Sequence, residues 1–566
     1  MPKARLRHVF ACALVLAAAP TLGAQERPRN PPQREGGSRE GSRTPLPAVR
    51  EADALEIGST ALAELPRVRV ESGVVTPKGK VLRVAAGGDL QRALTAAKCG
   101  DVVTLAAGAT YSGNFVLPLK SCTLGNPVVL RTVQDASDPP EGTRMRPSLA
   151  ARLAKLVSPR AQSTLITAPS TAGWRLMLLE ITVAAVVPEI NAIVSIGDGS
   201  EAQRTLALVP TDVVLDRVYV HGQPQQRVRR CIALQSARTA VVDSWIDDCH
   251  SVGQDAQAIV GWNGPGPYKI ENNYLAGSGE NVMFGGSDPA IPDLVPSDIE
   301  FKRNHVHKPI AWKGVWLVKN LFEIKNAQRV LVEGNVFDGS WVDGQVGWAF
   351  NLKSTQDRNA PWSVCGDVTI RSNRIRNVGG VFSLSGAQNL PITTYTHRLA
   401  IMNNVAENIN TGAYKGIGRI VQALDGVTDV IFAHNTLVGT GGVAAAIVME
   451  GPKPLSGWTM RDNVIDAGTY GVKTGGVAIG NPSIDKVMPG SFWARNALFG
   501  QGTAATYPRN TFLLPNMQAV RFQDVALGNY RLAETSPYRT TASDGADLGV
   551  DMDALDVATA GVVVEP

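Results

Sequence analysis

VLVEGNVFDG (330–339) is a phrase that this chain repeats. It reads as an apolar strand, a polar pair ending in Asn, a short apolar stretch, and a Gly or polar turn. The same order returns C-terminally in VTIRSNRIRN (368–377), LAIMNNVAEN (399–408), VIFAHNTLVG (430–439), WTMRDNVIDA (458–467) and SFWARNALFG (491–500). It returns N-terminally in IEFKRNHVHK (299–308), KIENNYLAG (269–277), VVDSWIDDC (241–249) and VVLDRVYVHG (213–222). Asp216, Ser244, Asn273, Asn304, Asn335, Asn373, Asn404, Asn435, Asn463 and Asn496 mark the copies, with steps of 28, 29, 31, 31, 38, 31, 31, 28 and 33 residues. Ten copies at one spacing indicate a solenoid.

The unit is β. Val, Ile, Phe and Tyr alternate with polar residues, and no copy carries a long 3.6-residue stripe. About 30 residues hold two or three short strands, one full coil, and successive coils would pair in parallel about 4.8 Å apart. The recurrent Asn then suits a position where amides stack and bond from coil to coil. Asp89–Ala97 (DLQRALTAA) is a short amphipathic helix placed to cap the first coil, and the aperiodic stretch from about Val520 is placed to cap the last. The expected fold is all-β: a single-stranded right-handed parallel β-helix of about ten or more coils with a short N-terminal capping helix.

Composition agrees. The 566 residues are 44% hydrophobic and 19% charged, enough for a large core, and 56 Gly with 35 Pro suit a turn-rich β protein. The net charge of +5 is local: residues 1–50 hold +6 and the remainder −1. A near-neutral folded part argues against a nucleic-acid partner. The one long apolar run, Val9–Ala19, is too short to span a bilayer. Preceded by Lys3, Arg5 and Arg7 and followed by Gly23-Ala24, it reads as an export signal removed near Ala24, which makes the product periplasmic or extracellular. The predicted organisation is a signal at 1–24, a disordered Pro/Arg-rich linker at 25–72, the β-helix at 73–519, and a C-terminal cap and tail at 520–566. Cys99 with Cys122 and Cys231 with Cys249 are near in sequence and Cys365 is left over, although spacing alone leaves the connectivity open.

The Asn-bearing coils and the tail LGNYRLAETSPYRTTASDGADLGVDMDAL resemble the right-handed parallel β-helix (pectin lyase-like) superfamily over residues 80–553. Within it the chain is most similar to the alginate lyase and chondroitinase B group and to uncharacterised secreted bacterial β-helix proteins. The superfamily holds lyases, glycoside hydrolases, epimerases, esterases and phage tailspikes, so the fold does not settle function, and a lyase, a glycoside hydrolase and a non-catalytic polysaccharide-binding surface protein stay open. Each implies a polysaccharide partner, no membrane insertion and a monomer.

Candidate site residues concentrate in 245–362, which holds seven of the ten Trp. Trp312, Trp316, Trp341 and Trp348 are candidate sugar-stacking platforms, with packing under loops as the plainer alternative. His305 and His307 share a strand face, but no third metal ligand accompanies them. Counting from the marker Asn residues aligns Asn320 with Asn351 and places Lys319, Glu323, Lys325 and Lys353 beside them, with Asp288 in the column of Lys319. This set suits β-elimination on a uronate, where a cation neutralises the carboxylate and a base removes the adjacent proton. Asn320, Glu323 and Asn351 offer oxygens of the type Ca²⁺ binds. Similarity to the alginate lyase group implies a Lys base matching Lys325, an Arg where Lys353 stands, and a Glu-rich calcium site. The Glu-x-Glu of that group is absent, and Phe322-Glu323-Ile324-Lys325 stands there instead. The hydrolase alternative would draw its carboxylates from Asp247, Asp255 and Glu280.

Overall fold

A computed structural model describes Gly58 and residues 60–388, 391–500 and 506–563. The export signal and most of the linker lie outside the described residues. The chain winds through three all-parallel sheets of 14, 14 and 12 strands. Sheet I runs from Val81–Val84 to Phe492–Ala494, sheet II from Thr110–Ser112 to Phe512–Leu514, and sheet III from Phe115–Leu117 to Val472–Thr474. One coil takes one strand from each in turn, as in Ala327–Glu333, Val336–Asp338 and Trp348–Thr355. This is the expected parallel β-helix.

The period of two along each strand builds the core. In sheet I the register stacks Phe301, Val332, Ile370, Ile401, Phe432 and Met460. In sheet III it stacks Ile259, Val282, Phe322, Phe350, Phe382, Val421 and Ile447. All are at most 1% exposed and belong to one continuous cluster. At the first coil, the helix Leu90–Ala96 is capped by Asp89 and adds Leu90 and Leu94 to that cluster.

The marker Asn residues form a ladder at the corner between sheets I and II. From Asn273 to Asn496 each side-chain amide donates to the next Oδ1, at 2.8–3.1 Å, and each backbone N–H donates to the same oxygen. The corner explains the polar pair in the repeat. The residue before each rung of the ladder, such as Asn272, Arg303, Gly334, Ser372 or Asp462, turns the chain with φ between +51° and +67°. The Asn that follows satisfies backbone groups which the turn leaves unpaired. Asp216 is not part of this ladder. Ser244 Oγ accepts from Val218 N, 26 residues earlier, so Val218 is the true equivalent, and Asp216 instead pairs with Arg175 and Arg217. The apparent step of 28 came from choosing a polar marker where the rung is apolar.

A second column, not anticipated, runs along the start of the sheet I strands. Asp212, Arg238, Asp298, Arg329, Asp367, Arg398 and Asp429 all have positive φ, and the Arg side chains bond the preceding Asp. Residues 60–72, expected in a disordered linker, are strapped across this column. Ala61 N, Glu64 N and Arg67 N donate to Asp429, Asp367 and Asp298, and Val70 packs on Val214, Ala240 and Val242. Composition misled here because the strap is held by backbone N–H groups, which composition does not report.

The C-terminal segment is a second correction. It does not close the last coil; the short helix Asn481–Val487 does, adding Ile484 and Val487 to the core. Residues 520–563 instead fold back over sheet II, whose outward Val405, Val438, Val464 and Ala497 are apolar and need cover. Their contacts descend the coils: Ser543 on Asp462, Gly549 on His434, Asp551 on Asn403, Ala558 on Arg303. Disulfides join Cys99 to Cys122 and Cys231 to Cys249, and Cys365 is buried as a free thiol. No helix among the described residues is long and apolar enough to cross a membrane.

Candidate active site on sheet III

The outward positions of sheet III change character along the stack. The column Ala233, Val260, Met283 turns polar at Glu323, Asn351, Ser383 and Gln422. The neighbouring outward edge holds Lys325 and Lys353 on adjacent strands, one residue beyond the paired Ile324 and Leu352. Both ammonium groups converge on Glu323: Lys325 Nζ lies 3.5 Å and Lys353 Nζ 3.6 Å from Oε1. Oε2 accepts from Asn320 Nδ2 at 2.9 Å, and the same amide donates to Gln345 Oε1 at 2.8 Å. A shallow notch of about 100 Å³ opens over the two lysines, walled by Gly286, Thr355, Gln356 and Gln388.

A second group adjoins it. Lys319 is ion-paired to Asp255 and lies 3.8 Å from Glu280 Oε1, while Gln257 donates to Glu280 Oε2 at 2.8 Å. Three carboxylates, Asp255, Glu280 and Glu323, and three ammonium groups, Lys319, Lys325 and Lys353, thus lie together along one face.

Burial and neighbours sort these groups. Burial pushes the Glu280 carboxyl up, and the nearby Glu323 and Asp255 push it further, to about 7. Burial also acts on Glu323, but Lys325, Lys353, the Asn320 hydrogen bond and Lys319 outweigh it and hold that carboxyl below its usual range. The lysines diverge. Burial lowers both, yet Glu323, Glu280 and Asp255 carry Lys325 above the ordinary lysine value, whereas Lys353 stays below it, with Lys325 repelling its proton.

The expected cluster of Lys319, Asn320, Glu323, Lys325, Asn351 and Lys353 is therefore assembled, with one slip of register. Asn351 pairs with Glu323, not with Asn320, and Leu321 N bonds Trp348 O, which sets Asn320 beside Trp348. The count from the marker Asn fails because the loop between sheets II and III differs in length from coil to coil. Asp288 leaves the column of Lys319 altogether and accepts from the backbone of residues 357–359.

The donor set does not fit Ca²⁺. A hard divalent ion seeks six to eight oxygens, commonly several carboxylates. Here Glu323 is the one carboxylate among Asn320, Glu323 and Asn351, and two ammonium groups stand against it. Among the described residues no group of three or more His, Cys, Asp or Glu is placed to hold a metal ion.

The tryptophans are corrected as well. Trp312, Trp316 and Trp341 are 7%, 9% and 1% exposed and pack with Trp245 and Tyr274 outside sheet II, in a cluster separate from the lysines. Trp316 stacks on His250 with ring centroids 4.0 Å apart. They are loop packing. Trp348 is on sheet III but is 4% exposed and lies over Gly380, where a Cβ would come within 2.4 Å of its ring. Asp247 belongs to sheet II, apart from Asp255 and Glu280, so the three carboxylates of the hydrolase reading do not converge. His305 and His307 also lie on sheet II, stacked on each other, with His307 Nδ1 bonded to the Tyr274 hydroxyl. Gln345 and Gln257, which orient Asn320 and Glu280, carry no sequence signal beyond lying near the cluster.

No protein-family model matches the sequence, and no curated protein matches it. Among solved structures, the chain is similar to the PL6 family alginate lyase AlyGC, at 13% identity and a TM-score of 0.43 over 86% of this chain and 59% of that one. It is similar to an alginate lyase from Paenibacillus sp. at 14% identity and 0.34, over 66% of this chain and 98% of that one. It is similar to a PL6 family polysaccharide lyase from Pseudopedobacter saltans at 11% identity and 0.38, over 76% and 92%.

Proposed function

We propose that the protein is an exported polysaccharide lyase that cleaves a uronate-containing polymer by β-elimination on the outer face of sheet III. One observation carries the reading: Lys325 and Lys353 share Glu323 and are driven in opposite directions. β-Elimination beside a carboxylate needs a fixed positive charge to stabilise the developing enolate and a neutral base to take the proton. Lys325, held protonated, supplies the charge. Lys353, with its proton loosened, supplies the base. This reverses the roles that similarity to the alginate lyase group implies.

The step balances within the chain and substrate. The Lys353 amine takes the proton from the carbon next to the carboxylate. That electron pair forms a carbon–carbon double bond as the bond from the neighbouring carbon to the glycosidic oxygen breaks. The leaving oxygen is protonated by the Lys353 ammonium or by water. Glu323 holds both lysines in place, and Asn320 and Gln345 hold Glu323.

The test is to incubate the exported protein with acidic and neutral polysaccharides, with and without chelator. Ultraviolet absorbance and reducing ends are followed together. Unsaturated ends on an acidic polymer, formed equally with chelator, are the expected result. Reducing ends without unsaturation would favour a hydrolase, which the Glu280 carboxyl near 7 recommends as a general acid. Against it, Glu280 is 0% exposed and its oxygens face Gln257 and Lys319, so it does not reach a glycosidic oxygen.

A further inference from the structure

On the N-terminal side of the lysines, the same face of sheet III opens into a cleft of about 580 Å³. Its walls include Asn191, Ser195, Arg230, Gln235 and Trp262. Arg230 is built into place. Its guanidinium lies 5.1 Å above the Trp262 ring, and Nη1 donates to Asn191 Oδ1 at 2.6 Å. Trp262 is itself pinned by its indole N–H to Gly199 O, and a Cβ on Gly199 would stand 2.0 Å from the ring.

The cleft also holds Asp198, whose Oδ1 accepts from Ser200 N and Oγ, but the buried atoms left without a partner at Arg230 and Gln235 are both donors. Arg230 Nε is buried without a hydrogen-bond partner. Gln235 is 1% exposed; its Oε1 accepts from Trp262 N and Asn263 N, which orients the amide, and its Nε2 has no partner. Leaving a buried donor unpaired costs about 1–3 kcal/mol, so two in one wall point to an acceptor that arrives from outside. Other arginines on the coils, Arg329 and Arg398 among them, have a carboxylate on the guanidinium; no ion pair holds Arg230 among the described residues. Burial, with Arg229 nearby, lowers its pKa to about 10 against the opposing pull of Asp255.

Register ties the cleft to the lysines. Leu234, Gly261, Phe284, Ile324 and Leu352 align across sheet III, so the residues after them, Gln235, Trp262, Gly285, Lys325 and Lys353, share one outward edge. Only Gly285 separates Trp262 from Lys325. Its φ of +90° and the 2.8 Å between an added Cβ and Asn326 N leave no room there for a side chain. The strand of Arg230 is three strands from that of Lys325, about 14 Å at the usual spacing.

We infer that the Arg230–Gln235–Trp262 cleft is a binding subsite for the carboxylate of an acidic sugar a few units along the polymer from the bond cut at Lys325 and Lys353. The inference rests on the lyase reading for its substrate class, but its test reads binding. Oligouronates of two to eight units, and their carboxyl-reduced counterparts, are titrated by calorimetry into full-length Lys353→Ala protein, alone and combined with Arg230→Ala or Trp262→Leu. Circular dichroism and melting temperature establish that each variant is folded. The expected result is that Arg230→Ala weakens the longer oligouronates at least ~10-fold, about the value of a charge-assisted hydrogen bond. Disaccharides and reduced oligomers should be unaffected. In otherwise wild-type protein, Arg230→Ala should raise KM for polymer and spare kcat. Unchanged affinity in both folded variants, or no binding of any oligouronate, would overturn the subsite. Binding that depends on Arg230, without any unsaturated product from wild-type protein, would sink the lyase reading and leave the subsite standing. Turnover with no dependence on Arg230 would do the reverse.

Discussion

Exchanging each lysine for arginine separates the two lysine roles. Both Nζ atoms lie within 3.6 Å of one carboxylate oxygen, so they are no more than ~7 Å apart. At an effective dielectric near 20, two ammonium groups at that distance repel by about 2 kcal/mol, which favours one of them losing its proton. Glu323, Glu280 and Asp255 hold the proton more firmly on Lys325, while burial and the neighbouring Lys325 loosen it on Lys353. Arginine carries a permanent charge and cannot act as a base at these pH values. Lys325→Arg should therefore keep kcat within about tenfold, or ~1.4 kcal/mol. Lys353→Arg should lose ~10²- to 10⁴-fold, about 2.7–5.5 kcal/mol. The assay is initial rate by ultraviolet absorbance across pH, with the melting temperature of each variant alongside. In wild type, kcat/KM should rise with pH along a limb set by Lys353, below the ordinary lysine range. A folded Lys353→Arg protein with near wild-type kcat would refute the assignment, as would collapse of Lys325→Arg alone.

Four further outcomes follow from the geometry. Asn404→Ala should destabilise by about 2–6 kcal/mol in urea titration, because it removes the side-chain partner of two buried groups, Asn373 N and Ile370 O, at about 1–3 kcal/mol each. Glu280 has a folded value near 7, above its ordinary 4.5, so its protonated form favours folding below pH 4.5 and that contribution fades as pH rises through 7. Glu280→Gln should remove that decline, seen as a variant whose stability gain over wild type grows from pH 4.5 to 8. Asp367→Ala, which frees both Glu64 N and Arg398, should lower the melting temperature and expose residues 60–72 to protease. Chelator should leave turnover unchanged, since the oxygens around Glu323 are faced by ammonium groups; restoration of lost activity by added Ca²⁺ would contradict this.

The fold was legible because its signal is redundant. Asn273 to Asn496 recur at one corner, and each performs the same bonding, so eight copies of one physical requirement are written in the chain. The exceptions were illegible for equally physical reasons. Val218 occupies a ladder position yet looks like any strand residue. The strap at 60–72 uses backbone donors. The site was legible in part. Lys325 and Lys353 each follow an inward apolar residue on neighbouring strands, so the coil period was sufficient to bring them together. Asn320 and Asn351 slipped because the intervening loop, unlike the strand, has no period. Trp clustering misled because aromatic residues that stack on sugars and aromatic residues that seal loops share one composition, and only exposure tells them apart.

The placement of the charged groups has a structural reason. Inward columns cannot vary, since Phe322, Phe350 and Phe382 stack directly on one another in the core. The sheet I–II corner cannot vary either, because every ladder Asn is bonded to two others or to a backbone. The outer face of sheet II is covered by the Trp cluster and the C-terminal segment, and part of sheet I by the strap. Sheet III is the wall on which outward side chains are least committed to folding. Its polar run from Arg230 to Gln422 is therefore where unpaired donors and mismatched lysines can be tolerated, since the coils beneath hold their register without them. A charge that folding does not require, kept at a cost of desolvation on this wall, is the strongest reason to look there for binding and chemistry.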